Sequence, residues 1–206
     1  ANQTTWHKTP AVLANPYPDQ LTNITRAMID AAWMHRSEPI IIDKNRGWGG
    51  PNIAAVDYLF QKDIKMINTV RDLPSIMASL LTLIKKNKNP KLDNIIRSYG
   101  YEPNDENYMA EMWFKMVQNC MLGLQLTKQH ASHRSIFIEY DDLVSNPKEQ
   151  MKRIENFLDL PPFEYDFENI QNDTQDDDLL AWGFDGMHTI RPKLEKTALH
   201  PKEVLG

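Results

Sequence analysis

The chain has 206 residues, a formal charge of −5, 41% hydrophobic and 25% charged residues, and a single cysteine. That length suits one ordinary domain with a core large enough to fold alone. The acidic balance argues against broad nucleic-acid binding while leaving room for a local basic pocket, and Cys120 alone permits neither an internal disulfide nor a cysteine-based metal site.

No apolar run reaches membrane-spanning length, and the first residues carry no signal-peptide pattern. No membrane partner is therefore expected, and low cysteine use favours a reducing, cytoplasmic compartment. The sequons at Asn2, Asn23 and Asn172 read as chance in a chain rich in Asn and Thr.

Residues 1–17 are polar and proline-spotted and read as loop. From Asp19 to His35, Leu21, Ile24, Met28 and Ala31 fall at helical spacing. Pro39 then opens an expected buried strand, Ile40-Ile41-Ile42-Asp43, followed by the turn Lys44 to Gly50 and a helix from Asn52 to Gln61. A second strand is expected over 64–70 and a helix from Pro74 to Lys86, ended by Asn89-Pro90.

After a polar stretch with Gly100 and Pro103, a long helix runs from Asp105 to His130. Its stripe of Met109, Met112, Met116, Val117, Cys120 and Leu124 reads as core. A third strand covers Ser135 to Tyr140. Asn146 as N-cap, Pro147 at the first helical position and Glu149 as capping-box partner start the next helix, with Met151, Ile154, Phe157 and Leu158 as its buried face. Periodicity fades after Pro161, and the acidic run Asp173 to Asp178 reads as a solvated loop.

Strands with continuous apolar cores alternating with helices predict an α/β fold, a parallel sheet covered by helices on both faces, in a single domain over 1–206. Ligands of such sheets bind beyond the carboxyl ends of the strands. Asp43 to Arg46, Arg71, and Glu139-Tyr140 stand at those three ends. Arg71 joins a strand to a helix start, where a planar donor fork, unpaired helix N–H groups and the helix dipole suit an anion. A surface salt bridge with a capping serine is the alternative. Ser79 lies about two helical turns beyond Arg71.

Four segments together resemble the P-loop sulfotransferases, which move a sulfuryl group from 3′-phosphoadenosine 5′-phosphosulfate (PAPS) to a hydroxyl or amine. Arg71 and Ser79 look like that family's 3′-phosphate-binding pair. Ile41 to Trp48 resembles the "DKxRGW" strand end of a bacterial and viral branch. Glu139 to Pro147 resembles "YEDLxxNP", and His188 to Lys193 resembles the carboxyl-terminal segment that folds over the cofactor. The likeness covers about residues 36–206. The family's 5′-phosphosulfate loop would precede residue 1 and nothing replaces it, so the chain is expected to lack an amino-terminal segment. Gly47, Gly49 and Gly50 lack the Gly-x-x-x-x-Gly-Lys pattern and read as a turn.

The resemblance implies in-line displacement at sulfur, with PAPS as co-substrate and no metal. Lys44 is the expected stabiliser of leaving-group charge, or a solvated turn lysine. Arg46 contacts the acceptor or phosphosulfate, or pairs with Asp43. Arg71 and Ser79 grip the 3′-phosphate, Tyr140 hydrogen-bonds the cofactor or caps the core, and Arg191 and Lys193 add phosphate contacts. His7 is the candidate general base and Asp43 the alternative. His188 is expected to order the carboxyl-terminal segment, and His130 and His133 to meet the helix dipole rather than a metal.

The expected partner is an acceptor that is a small molecule, a saccharide or a peptide. Two other functions fit less fully: a non-catalytic module that binds 3′-phosphoadenosine nucleotides, and a nucleotide kinase of similar fold. The kinase would need a lysine-bearing phosphate loop that these residues do not contain.

Overall fold

In the computed structural model, residues 18–33, 37, 40–44, 51–60, 64–173, 177–196 and 200–206 are described. The architecture is α/β: two parallel strands among many helices. The chain divides into two compact units, one of residues 1–66 and 120–135, the other of 67–119 and 136–206. No helix among the described residues is long and apolar enough to cross a membrane.

The first unit contains α1 (Pro18–Trp33), α2 (Pro51–Phe60) and most of a later helix, Gln118–His130. Arg26 of α1 donates from Nε to Leu59 O and from Nη2 to Tyr58 O, both at 2.6 Å. These carbonyls belong to the last turn of α2, which has no intrahelical donors for them, so one guanidinium closes the helix end. Arg134, with a side chain only 8% exposed, forks onto Asp57: Nη1 to Oδ1 at 2.6 Å and Nη2 to Oδ2 at 2.9 Å. Bidentate geometry lets a buried cation keep its charge.

Two expectations fail in this unit. The Ile40–Asp43 segment is not a strand, and Ile40, Ile41 and Ile42 are exposed. The described sheet consists of two other strands, so this segment has no ladder to satisfy its backbone or bury its side chains. In α1 the spacing is helical as expected, yet Ile24 and Met28 are exposed and the buried residue is Thr22.

The second unit is built around β1 (Met66–Val70) and β2 (Ser135–Glu139) and the helices that follow them. α3 (Leu73–Asn87) follows β1 and buries Ala78, Leu81 and Ile84, a three-residue spacing that keeps one face inward. α4 (Pro90–Ser98), absent from the sequence reading, adds Leu92 and Ile96. Asn89 caps it through Lys91 and Leu92 N–H, and Pro90 opens it, so the pair read as a terminator also starts a helix.

The long helix appears as α5 (Asp105–Met112), a π-helical turn (Trp113–Val117) and α6 (Gln118–His130). Its methionine stripe packs as core: Met112 is buried with Ile84, Leu92, Ile96 and Phe184, and Met116 packs against them. After β2 come α7 (Tyr140–Ser145) and α8 (Pro147–Leu158). The expected capping box at Asn146 does not form. Asn146 does stand at the N-cap position with Pro147 following it, and its carbonyl accepts the Gln150 N–H at 3.2 Å. Its own N–H goes to Asp142 O at 2.8 Å and its side-chain amide to Ser145 Oγ, so it ends α7 and starts α8 without a side-chain cap.

Two short helices complete the unit, α9 (Asp178–Trp182) and α10 (Pro201–Leu205). Asp178, the last residue of the run expected to be solvated, is buried instead. It accepts the backbone N–H of His188 and meets His188 Nδ1 at 2.6 Å. His188 thus fastens the carboxyl-terminal segment to the start of α9.

The Arg134–Asp57 fork gives a stability test. Asp57→Ala leaves a buried guanidinium without its carboxylate and is expected to destabilise the protein by about 3 kcal/mol. Urea unfolding would check this, and a loss under about 0.5 kcal/mol would show that the fork carries no structural weight.

Candidate functional site

Adjacent parallel strands lie about 4.8 Å apart, so residues just past their carboxyl ends are neighbours. Arg71 follows β1 and Tyr140 follows β2. The Arg71 guanidinium carbon sits 4.3 Å from the centre of the Tyr140 ring, and both residues are half-buried. This is cation–π stacking. It holds the guanidinium over the face of the ring.

Beyond Arg71, Asp72 caps α3 by accepting the Ser75 N–H at 2.8 Å. Hydrogen bonds from the Ser75 hydroxyl and N–H hold the Asp72 carboxyl below the usual carboxylate range, and the Arg71 charge adds to this. The sequence reading expected unpaired N–H groups here. Instead Pro74 has none, Ser75 donates to the Asp72 side chain and Ile76 to Asp72 O. The helix start is capped by its own carboxylate.

Arg71, Asp72 and Ser75 line one wall of a cleft of about 740 Å³, with Asp141, Lys196 and Lys202 also on its surface. α10 packs against α3 and contributes Pro201, Lys202 and Leu205 to the rim, beside His200 at its N-cap. Lys196 Nζ lies 2.8 Å from Asp141 Oδ1. Three cations and two carboxylates thus face one cavity. A second groove of about 520 Å³ at the start of α8 is lined by Tyr165, Phe167, Glu149, Asp166 and Glu168, and its carboxylates repel anions.

The structure brings Arg71 and Tyr140 together. Ser79 is exposed on α3 and does not line the cleft, whereas Ser75, a turn nearer the strand, does. Lys193 pairs with Glu168 at 2.5 Å, and that hydrogen bond and charge raise the lysine's pKa. Its segment is pinned by Leu194 N–H to Phe167 O and Ile170 N–H to Pro192 O. Arg191 is exposed and outside the cleft lining, and Lys44 is exposed in the first unit. His7 and Arg46 lie outside the described residues.

Lys196, Lys202, Asp72 and Asp141 were not singled out from sequence. The one available signal was Asp72 followed by Leu-Pro-Ser, which is a helix cap with proline inside the first turn. Among the described residues, no three His, Cys, Asp or Glu side chains converge as a metal site.

The family model described as "Sulfotransferase domain" matches residues 54–190, well over half of the chain. Among solved structures, the "Sulfotransferase Domain from the Curacin Biosynthetic Pathway" is similar at 20% identity and a TM-score of 0.46, covering 76% of this chain. The chain spans 52% of that domain's length. No curated protein matches.

The depressed Asp72 carboxyl predicts a pH signature. A carboxyl whose pKa is lowered on folding stabilises above its unfolded value, about 3.9, and that contribution fades as pH falls through the lower folded value. Asp72→Ala is expected to cost about 1 kcal/mol at pH 7, and the gap from wild type should narrow at a pH below the unfolded carboxylate value. Urea unfolding at the two pH values checks it; a gap that is constant with pH would mean the cap does not act through its charge.

Proposed function

The chain belongs to the sulfotransferase domain family, and on that premise we propose that it moves a sulfuryl group from PAPS to the hydroxyl or amine of a small molecule, saccharide or peptide. In this reaction the acceptor oxygen or nitrogen forms a bond to sulfur on the face opposite the leaving group. The sulfur–oxygen bond to the 5′-phosphate breaks, and its electron pair leaves on 3′-phosphoadenosine 5′-phosphate. The acceptor proton passes to a base, for which His7 and Asp43 are the candidates. Catalysis of this kind is mainly alignment and neutralisation of charge on the departing phosphate.

One observation carries the reading: Arg71, fixed on the Tyr140 ring at the ends of two neighbouring strands, opens into a cleft roomy enough for a nucleotide. We assign Arg71 to the donor's 3′-phosphate, where its fork binds two oxygens at once. Tyr140 holds that guanidinium over its ring. Ser79, Arg191 and Lys193 stand outside the lining of this cleft, so they are proposed as contacts only to parts of the donor that extend beyond it. Lys44 and Arg46 are proposed as the groups that neutralise the phosphosulfate. No metal takes part in this scheme.

A donor-binding module without turnover is the second reading. It rests on the Arg71–Tyr140 pair alone, which can hold a 3′-phosphate without any group acting on the transferred sulfur.

Calorimetric titration with 3′-phosphoadenosine 5′-phosphate beside adenosine 5′-phosphate separates the possibilities. Wild type is expected to prefer the 3′-phosphorylated nucleotide, and Arg71→Ala to weaken it about 10- to 100-fold while changing adenosine 5′-phosphate little. Equal losses for both nucleotides would remove the 3′-phosphate assignment. Tight binding without sulfuryl transfer to any of a panel of alcohols, amines, saccharides and peptides would select the module.

A further inference from the structure

We infer that Lys196 is a second anion-gripping residue of the Arg71 cleft, and that Asp141 holds its ammonium until a ribose 3′-phosphate takes the place of Asp141. The inference rests on the donor-site reading above and adds the residue that completes the grip.

Lys196 lines the same cleft as Arg71, and its Nζ lies 2.8 Å from Asp141 Oδ1. Asp141 directly follows Tyr140, so this carboxylate sits one residue from the ring that carries the Arg71 guanidinium. The helix that carries the ring under Arg71, α7, therefore also carries the counter-ion of Lys196.

The pairing is built to exchange. Both side chains are 60% exposed, and ion pairs so open to water are weak and easily screened by salt. A phosphate bears more charge than a carboxylate and offers more acceptor oxygens to an ammonium. When it binds, Lys196 has only to swing from one oxygen to another within the same cleft. Asp141 gives up little, because it remains in the first turn of α7, where the helix dipole suits a negative charge.

Lys193, three residues earlier, makes the contrast. It pairs with Glu168 outside the cleft lining, on a segment pinned to residues 167–170. Asp72 differs from Asp141 in the opposite sense. Its carboxylate is committed to the α3 cap, so it cannot withdraw without loosening that helix. Asp141 is the carboxylate of the cleft that can yield.

The test is titration of the full chain with 3′-phosphoadenosine 5′-phosphate and with adenosine 5′-phosphate, in wild type, Lys196→Ala, Asp141→Asn and the double variant. Lys196→Ala is expected to weaken the 3′-phosphorylated nucleotide about tenfold and the other less than about twofold. Asp141→Asn is expected to tighten the first by about threefold, and this gain should disappear when Lys196 is also alanine. An equal gain in both backgrounds would mean that Asp141 acts only as a nearby charge and would overturn the exchange. Equal weakening of both nucleotides by Lys196→Ala, as from a strap that merely covers the cleft, would overturn the grip. Arg71→Ala separates the layers. If it leaves the 3′-phosphate preference intact, the donor-site reading fails; if it removes the preference while Lys196→Ala does not, only the present inference fails.

Discussion

The stacking of Arg71 on Tyr140 is the contact on which the site depends. Each side chain is delivered by the end of a strand, and the two strands are hydrogen-bonded neighbours. The sheet thus sets the distance, and the aromatic face carries the cation. A long cation standing free at a loop would lose rotamer entropy on meeting an anion. Held against a ring, the guanidinium has already lost most of that freedom, and the stack itself contributes about 0.5–2 kcal/mol toward keeping it there.

Around that fixed cation the cleft is balanced rather than simply basic. Asp72 and Asp141 stand among Arg71, Lys196 and Lys202. The two carboxylates have different mechanical duties: one anchors the first turn of α3, and the other meets a lysine on the carboxyl-terminal segment. A protein with an overall charge of −5 can in this way present local donors to an anion without becoming a general polyanion binder.

Most elements were legible from sequence because their signals are local. β1, β2, α3 and α8 follow from apolar runs, proline positions and helical spacing, and the methionine stripe of α5 and α6 buries as its period implies. Arg71 and Tyr140 were legible as a pair because strand ends in α/β folds converge. The failures have a shared cause, which is that the deciding partner is distant in the chain or already engaged. Ile40 to Ile42 look like a buried strand, but a strand exists only where a ladder receives it. Asn146 has a capping sequence, yet its amide closes the preceding helix. Asp178 sits in an acidic run and is buried by a histidine ten residues on. Lys196 carries no pattern of its own, and only the return of the carboxyl-terminal segment places it beside Asp141.

The most direct test of the central claim is a crystal structure of the chain with 3′-phosphoadenosine 5′-phosphate. The account expects the 3′-phosphate within hydrogen-bond distance of the Arg71 guanidinium, with that guanidinium still over the Tyr140 ring. A nucleotide seated with its 3′-phosphate away from Arg71, or an Arg71 that leaves Tyr140 to reach it, would contradict the claim that the stacked pair is a preformed anion grip.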